Sequence, residues 1–284
     1  MLEKNIFPLE INLTIFMNDT KNRAKQLWGK DLHKDKTIQP HSPQFKNLFG
    51  SLWTNSLKGN LLEIGCGSGA DLEIFDKIND LESIYAIDLG ANIEQLAKRY
   101  KDRERVHVKS GDATSLDFES NTFDVVYSFG VFHHTEDPIK CFYEAFRVMK
   151  ANGNAFIYLY SKHSNNMFKR IGIFFEFFLM KLIRVFPYRI QSFFCIILSP
   201  ICWILFFLPS RLIYFLNFHD LSSKIPFYFA SHPFSLIGDL KDRLMAPVNH
   251  RFNKLEIERV LLGCGFSEMR VIDNSHGIYI CAKK

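Results

Sequence analysis

The 284-residue sequence predicts an α/β protein built on a mostly parallel sheet with helices on both faces. Three observations carry this expectation. Apolar runs of strand length alternate with segments of helical spacing, the first such run ends in a glycine-rich turn, and the chain closes on a helix followed by a hairpin. Hydrophobic residues at 47% and charged residues at 23% supply an ordinary core and exclude disordered or collagen-like classes.

Leu61-Leu62-Glu63-Ile64 is a short apolar run stopped by glycines, as a buried parallel strand should be. Leu72, Ile74, Phe75 and Ile78 give residues 70–79 helical spacing. A second strand follows at 83–88, a helix at 93–100 and a short third strand at 106–108. The fourth strand is 123–128, with a helix at 138–149 and a fifth strand at 154–160. Much later, 253–262 is helical and ends at Gly263 and Gly265, and 268–272 pairs with 277–282 through Asp273–His276. Ligands of such sheets bind at the carboxyl ends of the strands, near the switch in strand order.

Gly65-Cys66-Gly67-Ser68-Gly69 occupies that place after the first strand. Glycines let the backbone turn tightly and approach a ligand closely. Alone the turn is ambiguous, because Gly65-x-Gly67-x-x-Ala70 also fits a dinucleotide pattern and Asp88 could hold a ribose in either case. Glu63 favours a ligand carrying a cationic amine, since a carboxylate gains nothing beside a pyrophosphate. Gly111-Asp112-Ala113 after the third strand suits contact with an adenine amine, although Asp112 equally fits a cap or turn. The fourth strand runs out through Ser128-Phe129-Gly130-Val131-Phe132-His133-His134.

Together, Leu61–Ala70, Asp88, Gly111–Ala113, Phe123–His134 and Pro138–Tyr160 resemble the class I S-adenosylmethionine-dependent methyltransferases of the type-11 small-molecule family. The resemblance implies a Rossmann-like seven-stranded sheet with a C-terminal antiparallel hairpin and a helical lid inserted between strands five and six. It also implies S-adenosyl-L-methionine as cofactor and S-adenosyl-L-homocysteine as product. Carried over, Gly65, Gly67 and Gly69, with Cys66, wrap the methionine part and ribose, above Glu63. Asp88 and Leu89 hold the ribose side, Asp112 and Ala113 read the adenine edge, and Ser128 and Phe129 border the methyl group. His133 and His134 are the candidate bases, needed where the acceptor is a hydroxyl or a protonated amine. His163, Asn249, His250 and Arg251 are expected in the acceptor pocket. The expected acceptor is a small or lipid-like molecule. The other readings are a methyltransferase-like binding subunit without activity and a nicotinamide-dependent oxidoreductase.

Some chemistries are argued away. No Asn/Asp-Pro-Pro-aromatic motif follows the fourth strand and no Pro-Cys pair exists, so nucleic acid is not the expected acceptor. The ten histidines show no metal-ligand spacing. Cys66, Cys141, Cys195, Cys202, Cys264 and Cys281 form no CxxC pairing, which fits a reducing cytoplasm. Glu3, Lys4 and Glu10 break the first 17 residues, so no signal-peptide core is expected there, and Met17 is an alternative start.

Charge and phenylalanine are unevenly spread. Residues 1–160 carry 19 basic against 22 acidic side chains, and residues 161–224 carry eight against two. Twelve of the 29 phenylalanines lie between Phe168 and Phe218. The expected organisation is an N-terminal cap (1–59), a cofactor-binding core (60–163), a Phe-rich basic helical insertion (164–240) and a completing segment (241–284). On a helical wheel from Lys169 to Pro187, Lys169, Arg170, Glu176, Lys181 and Arg184 share one arc, the pattern of an interfacial helix. Residues 191–210 contain no charge and could span a bilayer, but Pro200 and Pro209 predict two shorter helices instead. A spanning segment, a lid on the membrane surface and a soluble lid or homodimer surface through 168–218 all stay open.

Overall fold

The computed structural model describes residues 21–28, 40–90, 92–163, 166–228 and 230–284. The question of Met1 or Met17 as start therefore lies outside the described residues. Helix α1 (21–28) precedes α2 (Ser42–Phe49) and α3 (Ser51–Ser56). Then β1 (Gly59–Ile64), α4 (Ala70–Phe75), β2 (Leu81–Asp88), α5 (Ile93–Arg99), β3 (Val106–Ser110) and β4 (Phe123–Phe129) alternate. A 3-10 turn (Phe132–His134), α6 (Pro138–Val148) and β5 (Met149–Leu159) follow. The insertion holds α7 (Met167–Ile183), α8 (Tyr188–Cys202), α9 (Leu208–Phe215), α10 (His219–Lys224) and α11 (Ile237–Met245). The chain closes with α12 (Lys254–Cys264), β6 (Met269–Asp273) and β7 (Ile278–Lys283).

The seven strands order β3-β2-β1-β4-β5-β7-β6. All pairings are parallel except those of β7, which runs antiparallel to β5 and β6. Strand order reverses between β1 and β4, and their carboxyl ends, Ile64 and Phe129, open the crevice where such sheets bind ligands. Strand alternation sends successive side chains to opposite faces. Leu62, Ile64, Val126 and Ile157 pack with α6 and α12, while Leu61, Val125, Tyr127 and Phe156 pack with Phe45, Phe49 and Trp53 of α2 and α3.

The insertion departs and returns at one point. Ser161 bridges Phe252, Lys162 N–H donates to Phe252 O (2.7 Å), and Phe252 N–H donates to Tyr160 O (3.0 Å). A third apolar cluster joins Ile183, Cys195, Leu236, Leu240 and Leu244 of the insertion to Leu27 of α1. Helix α11 packs on both α7 and α8, and it crosses the division expected at residue 240.

Two features of the insertion correct the expectations. The prolines do not divide the second apolar stretch: Tyr188–Phe215 is one continuous helix of 28 residues. Pro200 removes one backbone donor inside it, and a π turn at Trp203–Phe207 shifts the hydrogen-bond register just before Pro209. The charged arc of α7 also divides: Arg170 and Lys181 stay exposed, whereas Lys169, Glu176 and Arg184 turn inward. Glu176 accepts from Arg251 and from Arg243 (3.3 Å), Lys169 donates to Ser275 O, and Arg184 donates to Ala246 O. These charges face the core, and the phenylalanines face outward: Phe174 is 69% exposed.

Candidate functional site

A cavity of about 600 Å³ opens at the β1/β4 switch point. Its floor is the glycine turn. Gly65 sits at φ +82°, and a Cβ there would lie 2.0 Å from Val131 Cγ2, so only glycine lets the turn close against the loop after β4. Gly69, also at φ +82°, caps the start of α4 in the left-handed region. Gly67 N–H donates to Asp88 Oδ2 (2.9 Å) and Gly90 N–H donates to Asp88 Oδ1, which fixes the carboxylate at the end of β2 with acceptor capacity left over.

Glu63 lies under this turn, 3% exposed, and its Oε2 has no hydrogen-bond partner among the described residues. Burial, with Asp71 and Asp88 nearby, pushes its carboxyl well above the usual glutamate range. Burial likewise pushes up the Cys66 thiol beside it. Asp71 meets different surroundings. Burial would raise it, but His41 and Ser42 outweigh that and hold it low. It accepts from the backbone of His41 (2.8 Å) and Ser42 (2.6 Å) and from Tyr127 OH (3.0 Å), tying the segment before α2 to the sheet.

Of the residues expected at the cofactor, Gly65, Asp88, Leu89, Asp112, Ala113 and Phe129 line the cavity. Glu63, Cys66, Gly67, Gly69 and Ser128 lie behind it. Ser128 was expected beside the methyl group, but it is fully buried and its hydroxyl donates to Ile64 O (3.0 Å), stitching β4 to β1. Phe129 takes the exposed place, stacked between His41 (3.9 Å) and Tyr158 (4.1 Å). Asp112 makes the expected turn, accepting from Thr114 N–H (2.9 Å) and hydroxyl (2.8 Å), and also pairs with Lys21 of α1 (2.7 Å). Burial opposes its ionisation, yet Lys21 and Thr114 hold its carboxyl below the usual value.

The two histidines part company. His133 is fully buried, stacks on Tyr160 at 4.1 Å, and finds no partner for either ring nitrogen among the described residues. Burial, then His134, pushes its imidazole well below the ordinary value, so it is a neutral packing group outside the cavity lining. His134 does line the cavity, but both nitrogens are engaged: Nδ1 donates to Val248 O (2.9 Å) and Nε2 meets Asp242 Oδ2 (3.3 Å). Asp242 of α11 also accepts from Trp28 Nε1 (2.8 Å) and Tyr160 OH. Burial opposes a charge there, and His134, Tyr160 and Trp28 together hold the carboxyl well below its usual range.

The four residues expected in the acceptor pocket are not brought to the cavity wall. Arg251 is committed to Glu176, with its guanidinium 5.1 Å over the Tyr160 ring. His163 has φ +47°, and burial beside Lys169 lowers its imidazole to about 3. Asn249 donates to Arg243 O (3.5 Å), and His250 packs 6.3 Å from Phe252, its buried Nε2 without a partner among the described residues. The wall is made instead by Lys21, Trp28 and His41 before the sheet, Glu136 after the 3-10 turn, and Gly238, Asp239 and Asp242 of α11. Trp28 and His41 face the cavity. Glu136 Oε1 is buried there without a partner among the described residues. Among the described residues no cluster has the makings of a metal site.

A glycine turn at the switch point, a fixed carboxylate ending β2 and a buried carboxyl beneath them define the S-adenosylmethionine-dependent, class I methyltransferase type of site. Residues 62–157 match the family model described as a methyltransferase domain, of type 11. S-adenosylmethionine is the cofactor of the domain, and the buried Glu63 carboxyl fits its cationic amine. Over 97 residues the chain is 34% identical to cycloartenol-C-24-methyltransferase 1 of Oryza sativa subsp. japonica, covering 32% of this chain and 27% of the relative. It is 29% identical over 124 residues to 2-phytyl-1,4-naphtoquinone methyltransferase of Trichormus variabilis, covering 41% and 54%. The chain thus spans about a quarter to a half of the length of these curated relatives. A solved SAM-dependent methyltransferase from Aquifex aeolicus aligns over 94% of this chain and 96% of that one, at 13% identity and a TM-score of 0.46.

Proposed function

We propose that the chain transfers a methyl group from S-adenosylmethionine to a hydroxyl or amine of a small, lipid-like acceptor. The observation that carries this reading is the buried Glu63 carboxyl under the glycine turn, whose Oε2 has no partner among the described residues and which a cationic amine would satisfy. The relatives named for sterol and quinone methyltransferases support an apolar acceptor. A peripheral position at the cytoplasmic face of a membrane belongs to the same reading.

The cofactor supplies a methyl group already activated on a sulfonium. The protein has then mainly to position the acceptor and exclude water. In this reading Gly65, Gly67 and Gly69 bring the backbone close, Asp88 accepts from the ribose hydroxyls, and Asp112 with the Ala113 backbone reads the adenine edge. Phe129, clamped by His41 and Tyr158, walls the methyl side. His134 acts as a positioning group rather than a free base, because neither of its nitrogens is open to a substrate proton. Its bond to Asp242 holds α11 and Trp28 over the cavity as a roof.

Calorimetry with S-adenosylmethionine, S-adenosylhomocysteine and NAD tests the reading. Micromolar binding of the first two and none of the third is expected. Binding of NAD alone, or of none, would overturn it.

A further inference from the structure

Among the described residues, 24 of the 30 large exposed apolar side chains lie between Met167 and Leu221. This is far beyond the scattered exposure of an ordinary surface. The outer row of α7 (Phe168, Phe174, Phe175, Phe178) continues into Phe193, Ile197, Leu205, Leu212 and Phe215 along the long helix, and Phe215 is 82% exposed. Only 11% of the apolar window of that helix is buried within the protein.

Neither helix is free to cross a bilayer. Helix α7 is pinned to the core along its whole length, at Lys169, Glu176 and Arg184. The long helix buries Gln191, Cys195 and Ser199 on its inner side, with Ser199 Oγ donating to Pro233 O (2.7 Å). Farther along, Ser222 Oγ donates to Ser210 O (2.9 Å). Both helices therefore lie flat on the domain with one apolar face outward, the geometry of an interfacial helix immersed in a single leaflet.

The charges say which leaflet. Residues 161–224 hold only two carboxylates, Glu176 and Asp220. The first is turned inward, and the second pairs with Lys224 at 2.6 Å. Arg170, Lys181, Arg189 and Arg211 are exposed along this surface. A second copy of the chain would bring the same positive charge to the contact, whereas an anionic lipid surface complements it. At the far end a second cavity, of about 490 Å³, is lined by Arg211, His219, Ser222, Ser223, Tyr228 and Ser231, among others. The Arg211 guanidinium lies over the rings of Phe207 (5.6 Å) and Tyr214 (5.8 Å), and Tyr214 also packs on His219 at 4.3 Å. Rings against its faces leave the N–H edge of the guanidinium for a planar or tetrahedral anion, while the Ser222 and Ser223 hydroxyls donate to Ser210 O and Asp220 O and shape the wall.

We infer that the insertion docks in the plane of an anionic membrane leaflet and seats one phosphodiester lipid headgroup in the Arg211–His219–Ser223 cavity. Helix α11 backs this wedge and also roofs the first cavity with Asp239 and Asp242, so an acceptor dissolved in the leaflet lies next to the site. This deepens the lipid-like acceptor reading and rests on it for the substrate. Docking itself is measured without methyl transfer, so the two can fail separately.

Flotation of the full chain with vesicles is the test. Vesicles of phosphatidylcholine with 30% phosphatidylglycerol should carry it at least tenfold better than phosphatidylcholine alone. Arg211→Glu should abolish that preference while leaving cofactor binding unchanged. Phe174→Ser/Phe178→Ser/Phe215→Ser should lose flotation on both lipids with cofactor binding retained. Single tryptophans at Phe178→Trp and Leu205→Trp should both be quenched more by shallow than by deep brominated acyl chains, relative to the parent protein. Flotation indifferent to phosphatidylglycerol, or to either variant, would overturn the inference. So would deep quenching at Leu205→Trp, or a dimer dispersed by the triple variant in a protein that binds no vesicle.

Discussion

The sheet domain and its insertion obey opposite rules within one chain. In the sheet, Leu61, Val125, Tyr127 and Phe156 are buried, and charge is kept at the rim except where the site needs it. In the insertion, the apolar rings face outward while Glu176, Arg243 and Asp242 are held toward the interior. Burying a charge is tolerated only when it is paired and hydrogen-bonded, and each of these is. The difference teaches that the insertion is held by one small apolar cluster together with its inward polar contacts, while most of its large apolar side chains stay outside.

The sharpest break of this contrast is a pair of equal truncations. Phe156→Ala in the sheet should lower stability by about 3–5 kcal/mol in chemical denaturation. Phe175→Ala on α7 should shift it by less than about 0.5 kcal/mol. Equal effects would mean that the outer face is packed in solution. Next in size is Asp242→Asn, which leaves His134 and α11 without their shared anion and should cost about 3 kcal/mol at pH 7. Because the native Asp242 carboxyl is held below its unfolded value, its contribution is present above about pH 4 and fades as pH falls toward the native value. The gap between wild type and variant should close in that acidic window.

The smallest expected effect has the opposite sign. Glu63 is raised by burial, so its contribution is most favourable below the ordinary value of 4.5 and is lost as pH rises toward the native one. Glu63→Gln should therefore stabilise the cofactor-free protein by about 1 kcal/mol at pH 7, with no gain below about pH 4.5. The same variant should weaken S-adenosylmethionine binding and reduce the proton release that accompanies it in the wild type, read from calorimetry in buffers of different ionisation enthalpy.

The order of elements in the sheet was legible because its signals are local. Leu61–Ile64 announces a buried strand, positive-φ positions demand glycine at 65 and 69, and the Asn253–Glu256 capping box marks the start of α12. Asp88 followed from its spacing to the glycine turn. The cavity roof was not legible in the same way. A helical wheel gathers Lys169, Glu176 and Arg184 on one arc but cannot say whether that arc meets water or protein, because the answer depends on Arg243, Ala246 and Arg251 far along the chain. Asp239, one turn of α11 before Asp242 and Arg243 and interleaved with Leu240 and Leu244, was the available sign of a helix that buries charge. His133 and His134 are adjacent in sequence, and only the packing of Tyr160 against one and Asp242 against the other separates them.

The two backbone bonds joining Tyr160 and Lys162 to Phe252 bear on how this protein could have arisen. With its entry and exit strands clasped, the 161–251 segment meets the sheet much as a guest domain meets a host loop, and excising it would leave two ends already side by side. A lineage could therefore trade this segment for another of different length without shifting the register of β5 or β7. The methyl-transfer core would stay constant while the surface that selects its surroundings is replaced as a unit.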